Sequence, residues 1–224
     1  MSRVVFDIET LGFPLESFDE VQQEYLLKFA DTEEKREEAI LKLNLHPMTA
    51  QIIAIGMLNP DTNGSKVFYQ SKAGEQFSSE DGKVEFAAGS EKDLITWFWE
   101  NIRHYDQFVT FNGRAFDCPF ILLRSAVLGI KPTRNLMPYR YESSPHCDLL
   151  EQLTFYGAVR KFNLDFYCKA FGIKSPKSEG ITGLDLGELF RSGRFRDIAR
   201  YCLGDIQATG ELFRKWGEFL NVKA

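Results

Sequence analysis

Apolar residues fall in short runs along this chain, separated by turn-forming residues. Residues 3–9, carrying Val4-Val5-Phe6, read as a buried strand. Gln51–Leu58 (QIIAIGML) and Ser65–Gln70 (SKVFYQ) read as two more, joined by the turn Asn59-Pro60-Asp61-Thr62-Asn63-Gly64 in the pattern of an antiparallel hairpin. Between Glu91 and Ile102 the apolar positions Leu94, Ile95, Phe98 and Ile102 recur at helical spacing behind a Ser90 cap. A fourth strand is predicted at Gln107–Phe111, stopping at Asn112-Gly113. The helix expected after it, Phe116–Leu128, tolerates Pro119 only because that residue lies in the first turn. Short helices are expected at Leu149–Tyr156, Leu164–Phe171 and Leu184–Phe190, and a long one over Arg194–Phe219.

Strands first, then strands alternating with helices, predict an α/β fold: a mixed sheet flanked by helices. Ligands of such sheets gather at strand ends. One segment interrupts the order. From Pro14 to Pro47 the apolar residues Tyr25, Leu26, Phe29, Ile40, Leu41 and Leu43 recur at helix-like spacing amid charge, so a helical insertion is expected after the first strand of a single domain spanning 1–224.

Composition narrows the class. With 224 residues, 44% hydrophobic and 20 of them Phe, the chain can fill a substantial core. No apolar run reaches the roughly 18–20 residues that span a bilayer, and Met1-Ser2-Arg3-Val4 opens no signal-peptide pattern. A cytoplasmic protein without membrane contact is therefore expected. Four cysteines without a CxxC pair and only three histidines argue against a zinc site, a disulfide framework or a His-based triad. The net charge of −5 is held entirely by residues 14–47, with nine acids against four bases; the remainder balances at 23 and 23. Tight duplex binding through a basic face is not supported, whereas engagement of a strand end in a cleft is compatible with this balance.

Three acidic stretches change the picture. Asp7 and Glu9 stand at i and i+2, so a strand projects both from one face. Two buried like charges repel unless a cation neutralises them. Asp117 follows the Asn112-Gly113 turn at the mouth of a helix, and Tyr201 and Asp205 share a face at i and i+4 of the last helix. Each has an ordinary reading: a solvated Asp-x-Glu, a turn, a carboxylate favoured by a helix dipole, a half-exposed helix pair. Together they match the hard oxygen ligands that two Mg²⁺ or Mn²⁺ ions require. In two-metal phosphodiester hydrolysis one ion activates water and the other stabilises the leaving oxygen.

Phe6-Asp7-Ile8-Glu9-Thr10, Phe111-Asn112-Gly113-Arg114-Ala115-Phe116-Asp117 and Tyr201-x-x-x-Asp205 resemble the three motifs of DEDD-type 3′–5′ exonucleases. The Tyr-x-x-x-Asp ending resembles the tyrosine subclass, as in the proofreading domains of family-B DNA polymerases; the histidine of the other subclass is replaced by Arg200. His146-Cys147-Asp148-Leu149 is similar to a stretch often found between the second and third motifs, and Phe162 to Trp216 looks like the stand-alone predicted exonucleases of that type. The resemblance implies a ribonuclease-H-like fold, with Asp7, Glu9, Asp117 and Asp205 as ligands of two divalent ions and Tyr201 beside the attacking water. It also implies contacts to the terminal nucleotide from Thr10 or Leu11 and from Asn112, with Phe116 as a stacking candidate. A tyrosine pKa near 10 makes Tyr201 a poor base, so positioning of water is the expected role.

The expected function is metal-dependent 3′–5′ hydrolysis of single-stranded or frayed nucleic acid ends, DNA before RNA. A 3′–5′ exoribonuclease, or a non-catalytic module binding nucleic acid or protein, are the alternatives. The 14–47 insertion is expected to be a flap beside the site, a docking face for a protein partner, or a cover for a sheet edge.

Overall fold

The computed structural model describes residues 1–175, 180 and 182–222. Its centre is strand β1 (Arg3–Gly12). Strict alternation along β1 sorts its side chains: Val4, Phe6 and Ile8 enter one core layer and Val5 enters another. Asp7 and Glu9 continue the Val5 series.

β1 lies between β2 (Ala50–Leu58), to which it runs antiparallel, and β6 (Gln107–Thr110), to which it runs parallel. With β3 (Ser65–Gln70), β4 (Gln76–Ser78), β5 (Val84–Gly89) and β7 (His146–Asp148) the sheet has seven strands, in the order β4-β5-β3-β2-β1-β6-β7. β2–β3 and β4–β5 are antiparallel while β3–β5 and β6–β7 are parallel, so the expected mixed sheet is present.

Helices α3 (Glu91–Ile102) and α4 (Asp117–Val127) cover the Phe6 face with Leu94, Phe98, Trp99 and Phe120. α3 opens with a capping box between Ser90 and Asp93. The opposite face carries α5 (Leu149–Leu153), α6 (Leu164–Ala170), α7 (Leu186–Arg191) and the 25-residue α8 (Phe195–Phe219). Two glycines let α8 lie directly on β2. A Cβ on Gly56 would come 2.9 Å from Ile206 Cγ2 and 3.0 Å from Cys202 Sγ, and one on Gly210 would come 2.5 Å from Leu58 Cδ2. Gly56 is the cross-strand partner of Asp7. Close approach at Gly56 therefore brings the Tyr201–Ile206 turn of α8 over the first acidic motif.

A buried ion pair pins the other face. Arg124 donates to Glu91 through Nε at 2.8 Å and Nη2 at 2.6 Å, while Glu91 Oε1 also accepts the Ile52 N–H at 2.8 Å. Arg124 Nη1 further donates to the Pro47 carbonyl at 3.2 Å. Each charged oxygen is thus matched by a donor, the condition under which a buried pair is tolerated.

The structure corrects several boundaries. β1 does not stop at Glu9 but runs on to Gly12, with a register shift between Glu9 and Thr10. The carboxylates do not project from the end of their own strand; the neighbouring β6 pairs only with Arg3–Val5 and ends beside them. The fourth strand closes at Thr110, α4 begins one residue later than expected, and the Leu184 helix begins at Leu186. Strands β4, β5 and β7 were not expected. The helix predicted to reach Tyr156 ends at Leu153, because Phe155 and Tyr156 adopt φ of 50° and 58°, outside helical space.

The insertion is helical, as expected: α1 (Glu20–Leu26) with an Asp19–Gln22 capping box, and α2 (Glu33–Lys42) capped by Thr32. Neither helix buries a residue; Leu15 and Leu43, outside them, are buried. α1 and its extension turn Val21, Tyr25 and Phe29 outward. The exit is tied to the central strand, not to a sheet edge: Thr10 Oγ1 donates to the Asn44 carbonyl at 2.7 Å and the Gly12 N–H to Asn44 Oδ1 at 2.5 Å. Among the described residues no helix is long and apolar enough to cross a membrane.

Candidate active site

Where β6 ends, the β1 amide of Ile8 loses its ladder partner. Asp117, at the first position of α4, takes it: Oδ1 accepts the Ile8 N–H at 3.0 Å. A backbone group that would otherwise be orphaned thus fixes the third carboxylate against the first two. The α8 turn lying over Gly56 supplies Tyr201 and Asp205. Carboxylate oxygens of Asp7 and Glu9 and the sulfur of Cys202 lie within 4.8 Å of one another, and Glu9 is hydrogen-bonded to Asp205. Asp7, Glu9, Asp117 and Asp205 therefore converge from β1, α4 and α8.

Crowding and burial push these carboxyls up. For Asp7 burial is the main cause, then the charges of Asp117 and Asp205. For Glu9 it is burial, then Asp205, Asp7 and Asp117. Burial also pushes Asp117 up to about 7, against the opposing pull of hydrogen bonds from its own N–H and that of Ile8, with Asp148 and Asp205 adding to the rise. Asp7 keeps a partly exposed edge although its carboxyl is enclosed, whereas Glu9 is buried. The Tyr201 hydroxyl is raised further above its ordinary value by burial and then by Asp205, Glu9 and Asp7. It stays protonated.

One oxygen tests whether a cation fits. Glu9 Oε1 is buried and has no hydrogen-bond partner among the described residues, a costly state for a carboxylate. The carboxyls of Asp7, Asp117 and Asp205 surround it, the hard donors that Mg²⁺ and Mn²⁺ take. Cys202, which the sequence reading left outside the site, borders it, but burial raises its thiol well above the usual range and keeps it neutral. The four carboxylates fit a hard divalent cation.

The second motif forms a tight turn with Asn112 at φ 64°. Gly113 is required there, since a Cβ would stand 2.4 Å from Thr110 Cβ. Asp148 holds this turn from the neighbouring β7 end: it accepts the Asn112 N–H at 3.0 Å and the Arg114 N–H at 2.8 Å, and caps α5 through the Leu150 N–H at 3.0 Å. His146 lies 2.8 Å from Thr110 Oγ1 through Nε2, and burial, its largest cause, pushes its pKa down to about 3. The sequence reading gave no role to His146 or Asp148; their part is to shape the second motif.

The expected substrate contacts differ in availability. Asn112 stands half-exposed in the turn. Phe116 packs on Phe120 at 5.4 Å and on the core below it. The Thr10 hydroxyl is engaged by Asn44, and Leu11 packs against the α7–α8 core layer.

These pKa shifts set an expected pH dependence for the metal-free protein. Asp117 has a folded pKa above its unfolded value of about 3.9, so the native state retains a proton that the unfolded chain gives up. Stability from this group is complete below about pH 4 and declines as pH rises through about 7. Asp7 and Glu9 act in the same direction. In EDTA the melting temperature should fall between about pH 5 and 8, and fall less in Asp117→Asn. Equal slopes for the two proteins would contradict the assignment.

A family model described as a predicted 3′–5′ exonuclease related to the exonuclease domain of PolB matches residues 45–219. DNA polymerase 1 of Sulfolobus acidocaldarius is 34% identical over 161 residues, covering 64% of this chain and 18% of that protein. DNA polymerase 1 of Sulfurisphaera ohwakuensis is 30% identical over 156 residues, covering 62% and 18%. The chain thus spans less than a fifth of the length of these relatives. The family B DNA polymerase of the archaeon Pyrobaculum calidifontis superposes with a TM-score of 0.62 at 18% identity, over 98% of this chain and 25% of that one. That likeness establishes the ribonuclease-H-like fold.

Proposed function

We propose, from the premise that this chain belongs to the family of predicted 3′–5′ exonucleases related to the exonuclease domain of PolB, that it removes nucleotides from the 3′ ends of single-stranded or frayed DNA by divalent-metal-dependent hydrolysis. The observation that carries this reading is the convergence of four carboxylates around Glu9 Oε1, which is buried and has no partner among the described residues. Asp7, Glu9, Asp117 and Asp205 would hold the ions, and Mg²⁺ or Mn²⁺ bound there would supply counter-charge and Lewis acidity toward the phosphate and the attacking water. DNA is favoured because the relatives above are DNA polymerases.

The chain's own residues then divide the work. Asp148 and Gly113 shape the turn that presents Asn112 to the terminal nucleotide. Tyr201, kept protonated by burial and three carboxyls, holds the attacking water by hydrogen bond and takes no proton from it. Tyr201→Phe keeps the ring and loses only the hydroxyl, so it should lower kcat by about tenfold while leaving KM within about twofold. Wild-type kcat in that variant would reduce Tyr201 to a packing residue.

Polarity and substrate are tested together with matched DNA and RNA oligonucleotides labelled at either end. The expected result is rapid release of a 3′ label as mononucleotide and a shortening ladder from the 5′-labelled strand, with DNA the better substrate. Release of the 5′ label first, or cutting of closed circles, would refute the reading; faster digestion of RNA would reassign the substrate.

A further inference from the structure

Just past the end of α5 stand two consecutive non-glycine residues in the left-handed region, Phe155 at φ 50° and Tyr156 at φ 58°. Such residues persist only where the surroundings hold them. The result is to present aromatic rings to solvent. Phe155 is 61% exposed. Tyr156, fixed by the Gln152 side chain at 2.8 Å from its hydroxyl, packs on Tyr141 with centroids 5.1 Å apart, and Tyr141 on Tyr139 at 5.8 Å. Tyr139 and Tyr141 are themselves 67% and 61% exposed. None of these rings is consumed by the core.

Cations interleave with them. Among residues 131–162 the exposed charged side chains are Lys131, Arg140, Arg160 and Lys161, against Glu142. The surface is joined to the proposed active site by short links. Arg140 Nε lies 2.7 Å from Glu151 Oε1, and the other oxygen of that carboxylate faces Arg114 Nε at 3.2 Å, within the second motif. α5 is capped by Asp148, the residue that holds the Asn112–Arg114 turn, so Phe155 and Tyr156 follow directly on a short helix that begins at that turn.

We propose that Tyr139, Tyr141, Phe155 and Tyr156, with Arg140 and Arg160, form a stacking platform for single-stranded nucleic acid, holding bases upstream of the 3′ end that enters the carboxylate site. The inference rests on the functional reading above and adds a second contact region to it. Exposed rings bind bases of any sequence by stacking, and neighbouring cations track the phosphates. A strand end anchored this way reaches an acidic site that would not attract it alone.

The test is fluorescence anisotropy in EDTA, so that nothing is hydrolysed, with a labelled trinucleotide and a labelled oligothymidylate of about twelve nucleotides. Phe155→Gly should weaken binding of the longer strand by about fivefold or more, and Tyr139→Ala/Tyr141→Ala by about tenfold or more, with the trinucleotide unaffected. Phe155→Gly should melt no lower than wild type, because glycine adopts positive φ without strain. Unchanged affinity for the longer strand in both variants would overturn the platform, as would an equal loss for the trinucleotide. Because hydrolysis plays no part in this measurement, absence of turnover in wild type with Mn²⁺ would count against the functional reading alone.

Discussion

Asp7→Ala is expected to reduce digestion at least about a hundredfold, the scale of losing one preorganised electrostatic group, in a protein that remains folded. Asp7 lies on the face of β1 over which α8 closes, between the carboxyls of Asp117 and Asp205, whose charges raise its own pKa after burial does. No other residue of the set is placed to replace it: Glu9 is already hydrogen-bonded to Asp205, and Asp117 is committed to the Ile8 amide. Removing Asp7 also removes a source of repulsion, so without metal the variant should melt no lower than wild type at about pH 8. Initial rates on a 5′-labelled single strand, with melting curves in EDTA, check both halves. Digestion at the wild-type rate would remove Asp7 from the chemistry.

Chelation should stop turnover altogether, and Mg²⁺ or Mn²⁺ should restore it. The reason is electrostatic. Among the described residues no base is paired with Asp7 or Glu9, and one oxygen of Glu9 is buried with no partner, so a bound cation would supply the counter-charge these two carboxyls call for. The same ions should stabilise the fold, because they bind the native arrangement and not the unfolded chain. At a hundredfold excess over Kd the gain is about 2.7 kcal/mol. Thermal melts with and without Mn²⁺ measure it, and Asp7→Ala should lose most of it. Full activity in EDTA would show that the carboxylates serve another purpose.

Much of this site was legible from local pattern. The i, i+2 spacing of Asp7 and Glu9 and the i, i+4 spacing of Tyr201 and Asp205 place each pair on one face whatever the tertiary structure, and α3 spans the Glu91–Ile102 range its periodicity implies. What stayed hidden depends on contacts distant in sequence. Asp117 meets the Ile8 amide across 109 positions, and Asp148 meets the second motif across 34 and 36. Neither bond leaves a local signature. β4 has three exposed residues and β7 only three, too few for a periodic signal. β5 did carry one, since Val84, Phe86 and Ala88 alternate inward. The left-handed turn at Phe155-Tyr156 could not be anticipated, because the glycine that usually marks such a stop comes only at position 157.

The same four carboxylates that make the metal-free site acidic and crowded make cation binding a proton-releasing event. At neutral pH Asp117, with a pKa of about 7, and Asp7 and Glu9, both raised by burial and by their neighbours' charges, retain protons that a divalent ion must displace. Calorimetric titration of Mn²⁺ into metal-free protein at about pH 7, in two buffers of different ionisation heat, reads stoichiometry and proton release together. The account predicts saturable binding of about two ions per chain, release of protons to the buffer, and loss of both in Asp7→Ala. Heats that are independent of the buffer, or binding that survives in Asp7→Ala unchanged, would contradict it.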